Sequence, residues 1–165
     1  MSGLKISGLS TGYGKIRIVS DVSLPAVGGG TIIGLLGPNG AGKSTFLRAL
    51  AGLLDFEGEV QLNDHDLAAI THQQRVKRIG YLPQALPQAT TLVAYEAVMS
   101  AYRAIQPDVG REVAEQAVEA TFNRLGIRDL AFKPLAKLSG GQRQIIGLAQ
   151  VAVRKPVLPV RSFSI

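Results

Sequence analysis

A chain of 165 residues with 46% hydrophobic residues is long enough to bury a core, and the absence of cysteine excludes disulfides, thiolate metal sites and a cysteine nucleophile. The formal charge is +6, but the basic residues are scattered and aromatic residues make up only 5%, so no nucleic-acid partner is expected. No apolar run is long enough to span a bilayer and the N-terminus lacks the basic-then-apolar pattern of a signal peptide, so a soluble, cytosolic chain is expected.

Taken in order, residues 4–9, 17–22 and 31–36 are predicted as short strands separated by glycine-rich turns. The third carries Ile32, Ile33, Leu35 and Leu36 in one apolar run, the pattern of a strand buried on both faces of a sheet. A glycine loop follows it, and residues 43–54 are predicted as a helix with Phe46, Leu47 and Leu50 on one side. Residues 58–62 are predicted as a further strand, 73–78 as a short basic helix and 80–82 as an extended exit.

The middle of the chain is predicted to be helical, over residues 92–104 and 111–125, joined by a turn containing Pro107, Asp108 and Gly110. In the second helix Ala114, Ala117, Val118, Thr121, Phe122 and Leu125 fall at helical spacing and read as a core stripe, leaving Glu112, Glu115 and Glu119 outside. A last apolar helix runs from the segment Leu138-Ser139-Gly140-Gly141-Gln142 through Val153. This order of elements indicates an α/β core carrying a helical subdomain. His65 and His72, the only two histidines, sit in polar surroundings and read as surface residues.

The glycine loop carries the first chemistry. Gly37-Pro38-Asn39-Gly40-Ala41-Gly42-Lys43-Ser44-Thr45 fits G-x-x-x-x-G-K-[ST] in full. Its glycines permit backbone angles that turn successive N–H groups inward as a concave anion site, and the next helix offers its positive end to the same phosphates. Lys43 supplies a charge for the β- and γ-phosphates and Ser44 a hydroxyl for Mg²⁺, so ATP and Mg²⁺ are the expected cofactors. The loop alone does not choose among kinase, GTPase and transport ATPase.

Leu138-Ser139-Gly140-Gly141-Gln142, followed by Arg143-Gln144, resembles the signature motif of ABC-type ATPases. A Gly-Gly pair opening a helix offers free N–H groups to an anion, and Ser139 also suits the role of helix N-cap. The resemblance implies that Ser139, Gly140, Gly141 and Gln142 cap the γ-phosphate held by a second ATPase subunit in a head-to-tail dimer. Gln84, in Tyr81-Leu82-Pro83-Gln84, is similar to the family's Q-loop glutamine, which reaches Mg²⁺ and the attacking water. Tyr13, in Gly12-Tyr13-Gly14, is similar to the aromatic that stacks on adenine.

The resemblance runs from about residue 4 to 156. It implies a P-loop NTPase core with N-terminal β-strands and a helical subdomain at about residues 88–145, incomplete at the C-terminus. Its flavour is that of importer ATPases for iron–siderophore complexes and cobalamin, on the stretches around Tyr81, Tyr95 and Gly147. The partners it implies are membrane permease subunits and a substrate-binding protein, with the chain peripheral at the inner face of the membrane.

In the family the helix after the signature leads to a strand ending in Asp-Glu, the aspartate for Mg²⁺ and the glutamate for water. Here residues 157–165 do not match that strand; Ser162 and Phe163 occupy the two places, and no Asp or Glu follows Asp129. A transport ATPase by family is therefore expected to bind nucleotide in this chain, with its hydrolysis in doubt. The alternatives are a non-hydrolysing nucleotide-binding remnant and a soluble ABC ATPase of DNA repair or translation. Proteins of the latter kind usually carry two cassettes or large insertions, and neither is seen here.

Overall fold

The computed structural model describes residues 3–63, 65–83 and 91–154. The chain divides into two compact units, residues 1–81 and 82–165. Gln84, expected from its resemblance to act as a Q-loop glutamine, and the tail at 157–165, with Ser162 and Phe163, lie outside the described residues.

The first unit is built on a four-stranded antiparallel sheet. Strand β1 (Gly3–Tyr13) forms a hairpin with β2 (Ile16–Gly28), and β3 (Phe56–Leu62) pairs with the other edge of β1 and with β4 (His65–Asp66), giving the order β2-β1-β3-β4. β1 is central and carries most of the buried positions, Ile6 and Leu9 among them. These two pack with Val19, Val60 and Leu67, against which Phe46 and Leu50 of helix α1 (Lys43–Leu50) also rest. Leu47, expected beside them, stays largely exposed because it lies off the i, i+4 stripe that Phe46 and Leu50 define. The strands are longer than their sequence signals, and α1 is shorter than residues 43–54. It stops because Gly52, at φ 78°, makes the left-handed turn of a Schellman ending, with Leu53 N–H bonded to the Arg48 carbonyl at 2.9 Å. A short helix α2 (His72–Arg78) opens on a capping box between Thr71 and Gln74. His65 and His72 are exposed, as expected.

One expected element is not a strand. Residues 31–36 carry no strand pairing, with Ile32 95% and Leu36 92% exposed. A strand buried on both faces needs hydrogen-bonding neighbours and covering layers supplied by other segments. The described sheet, wholly antiparallel, does not take up this run.

The second unit is helical. Helices α3 (Ala94–Arg103), α4 (Arg111–Leu125) and α5 (Gly140–Ala152) share one apolar cluster that includes Val98, Val118, Phe122, Ile146 and Ala149. α4 occupies the predicted residues end for end, with Ala114, Val118, Thr121 and Phe122 as its buried stripe. Two 3-10 turns, Arg128–Leu130 and Leu135–Lys137, lead from α4 to α5. The start of α3 is held by this connection: Ala94 and Tyr95 N–H groups donate to the carbonyls of Lys133 and Ala131 at 3.1 and 2.8 Å.

Candidate functional site

The segment 37–45 forms an open loop that runs into the first turn of α1. Gly42 is the N-cap at φ 85°, a conformation that leaves L side chains strained. A Cβ there would also come within 2.8 Å of Val19 Cγ2, so both torsion and space require glycine. The first bond inside the helix runs from Phe46 N–H to the Gly42 carbonyl at 2.8 Å. Helix geometry therefore leaves the N–H groups of Gly42, Lys43, Ser44 and Thr45 without a carbonyl one turn back. Gly42 has no side chain to cap them and no acidic residue stands in the first turn. The result is a partially positive, solvent-facing helix end of the kind that takes phosphate.

Lys43 folds back over this loop, its Nζ donating to the carbonyls of Gly37 and Pro38 at 2.7 Å each. These are bonds that a phosphate could replace, since both carbonyls are exposed to water. Ser44 is exposed beside it and its hydroxyl is free to turn toward a bound cation. Thr45 is different: it is buried. Its backbone N–H is one of the four that the helix start leaves without a carbonyl.

Tyr13 closes β1 with 44% of its surface exposed. Its hydroxyl also accepts a bond from Arg48 Nη1 at 3.0 Å. The hydrogen bond from Thr45, then that from Arg48, lowers the pKa of the phenol, because both stabilise the phenolate oxygen. Arg48 itself is held more firmly protonated, first by a hydrogen bond to Tyr81 and then by Tyr13. Tyr13 also borders a cleft of about 730 Å³ lined by Gly12, Arg17, Asp55 and Glu57. No residue of 37–45 lines that cleft, so its size does not define the phosphate site; the loop geometry does. Arg48 went unremarked in the sequence, where nothing joins it to a tyrosine 35 positions away.

In the helical unit the signature residues start α5. Ser139 Oγ accepts from Gln142 N–H at 3.2 Å while Gln142 Oε1 accepts from Ser139 N–H at 3.0 Å, a complete capping box. Ser139 is the N-cap its sequence position suggested, and Gln142 is drawn back to the helix rather than outward. Gly140 and Gly141 are open: a Cβ on either would meet nothing within 4 Å. Ser139→Ala is expected to destabilise the helical unit by about 1 kcal/mol and Ser139→Asp to restore most of it, read from urea unfolding midpoints.

These features, a glycine loop opening one helix and a Ser-Gly-Gly-Gln cap opening another, agree with the comparisons. The chain belongs to the ABC transporter ATPase family: the family described as ABC transporter matches residues 19–160. It is 36% identical over 157 residues to the ABC transporter ATP-binding protein YvrA of Bacillus subtilis, covering 93% of this chain and 35% of that protein. It is 36% identical to the lipopolysaccharide export system ATP-binding protein LptB of Haemophilus influenzae, covering 94% of this chain and 65% of that one. It is 38% identical to the hemin import ATP-binding protein HmuV of Bordetella bronchiseptica, covering 90% and 56% respectively. The solved structure of cbiO1 from Clostridium perfringens, part of the ABC transporter complex cbiONQ, superposes with a TM-score of 0.78 at 24% identity, covering 94% of this chain and 62% of that chain. The chain therefore has the P-loop NTPase fold of ABC nucleotide-binding domains, and it spans between about a third and two thirds of the length of these relatives. Among the described residues, no helix is long and apolar enough to cross a membrane.

Proposed function

We propose that this chain is the ATP-binding part of an ABC transporter, where ATP binding and hydrolysis drive movement of a substrate across the membrane. The observation that carries the reading is the uncapped, acid-free N-terminus of α1 behind a glycine fixed at positive φ. In this reading the N–H groups of Gly40, Ala41, Gly42, Lys43, Ser44 and Thr45 surround the phosphates of ATP. Lys43 exchanges its carbonyl partners at Gly37 and Pro38 for phosphate oxygens, a stronger charge-assisted bond. Ser44 ligates Mg²⁺, which when bound offsets phosphate charge, and Gln84 orients the metal and the attacking water. Tyr13 stacks on the adenine. Ser139, Gly140, Gly141 and Gln142 face the nucleotide of a second ATPase subunit, and the helical region docks on membrane permease subunits at the inner face of the membrane.

Similarity is equally strong to an importer and an exporter subunit, so it supports the ATP-binding role common to both. Import of a metal chelate, with a substrate-binding protein delivering it, is the narrower proposal. It is supported by the importer-like stretches around Tyr81, Tyr95 and Gly147 and by the hemin importer among the relatives.

A second reading is favoured by one observation. These 165 residues hold no carboxylate after Asp129, so they supply phosphate binding without a carboxylate at the places of Ser162 and Phe163 to orient water. Saturable MgATP binding by the full chain, with Lys43→Ala as control, tests the first reading; absence of binding would refute it. Phosphate release in the same samples, lost in Lys43→Ala, would refute the second.

A further inference from the structure

Arg48 sits in the last turn of α1, where a basic residue is ordinarily read as a partner for the helix dipole. Its surroundings here are more specific. The guanidinium donates from Nη1 to the Tyr13 hydroxyl at the end of β1, at 3.0 Å. α1 thus holds the Tyr13 hydroxyl through Arg48, and it is the helix whose N-terminus forms the proposed phosphate site. The face of the ring is left partly open to solvent.

We propose that Arg48 is a positioning residue for nucleotide recognition, fixing the Tyr13 ring relative to the phosphate loop. This rests on the nucleotide site proposed above. A stacking platform is useful only when its distance from the phosphate site is set, since the ring and the loop must meet one rigid ligand together. A tyrosine at a hairpin end, beside the Gly14-Lys15 turn, has no such restraint of its own. Arginine suits the task better than lysine because its planar guanidinium donates in a fixed direction, whereas an ammonium is a single point.

The test compares MgATP with inorganic tripolyphosphate, which has phosphates but no base. In Arg48→Met, MgATP affinity is expected to fall about 3- to 10-fold, the worth of one hydrogen bond, while tripolyphosphate affinity is unchanged. Arg48→Lys should fall between. Tyr13→Phe, which keeps the ring but loses the hydroxyl, should match Arg48→Met, and the double variant should show no further loss. A readout without nucleotide stands beside these: carbon-13 labelling at tyrosine Cζ should show the Tyr13 phenol titrating at higher pH in Arg48→Met. Equal loss of ATP and tripolyphosphate binding, or an unmoved Tyr13 titration, would overturn the proposal. If the unmodified chain binds neither ligand, the nucleotide reading fails, and the Tyr13 titration alone decides whether Arg48 positions the ring.

Discussion

Lys43→Ala is expected to weaken MgATP binding by about 10- to 100-fold while moving the melting temperature of the ligand-free chain by no more than about 2 °C. The two halves have separate causes. A hydrogen bond from an ammonium to a phosphate oxygen contributes about 1.5–3 kcal/mol, which converts to that range of affinity. In the absence of ligand the same ammonium bonds only two exposed carbonyls, at Gly37 and Pro38, and water can take its place there. Lys43→Arg would keep the charge but not the compact point donor, and should recover binding only in part. Calorimetric titration and a thermal melt on the same preparations check both halves. Unchanged affinity would remove Lys43 from the site.

Phe122→Ala is expected to cost the helical unit about 3–5 kcal/mol, a large share of the stability of any domain. Phe122 is 2% exposed and belongs to the cluster that α3, α4 and α5 share, with Tyr95 6.1 Å away between ring centres. Truncation leaves a cavity that helices on three sides cannot all close at once. Loss of helical circular dichroism at lower urea would show it, and a change below about 1 kcal/mol would mean that the cluster repacks freely.

What could be read from the sequence was whatever is encoded locally. α4 was legible to its last residue because its stripe repeats at i, i+3, i+4 and because glycines stand at both ends, Gly126 adopting the left-handed cap at φ 65°. The glycine loop at 37–45 was legible because few residue types can make its backbone turns. The Ser139 cap was legible because a serine side-chain oxygen suits an N-cap, although the return bond from Gln142 was not foreseen. The run at 31–36 misled because an apolar pattern reports that a segment wants burial, not that a neighbour is there to provide it. α1 ended early because Leu53 and Leu54 continue an apolar pattern that the backbone at Gly52 interrupts. The contact of Tyr13 with Arg48 depends on how a hairpin meets a helix, which no window of sequence contains.

The central claim is that ATP is held by the N-terminus of α1 and the glycine loop before it. Nitrogen-15 amide spectra of the full chain, recorded as MgATP is added, test this at the atoms concerned. The amides of Gly40, Gly42, Lys43, Ser44 and Thr45 are expected to show the largest shifts and to saturate together. Shifts confined to the cleft around Arg17, Asp55 and Glu57, with those five amides unmoved, would contradict it.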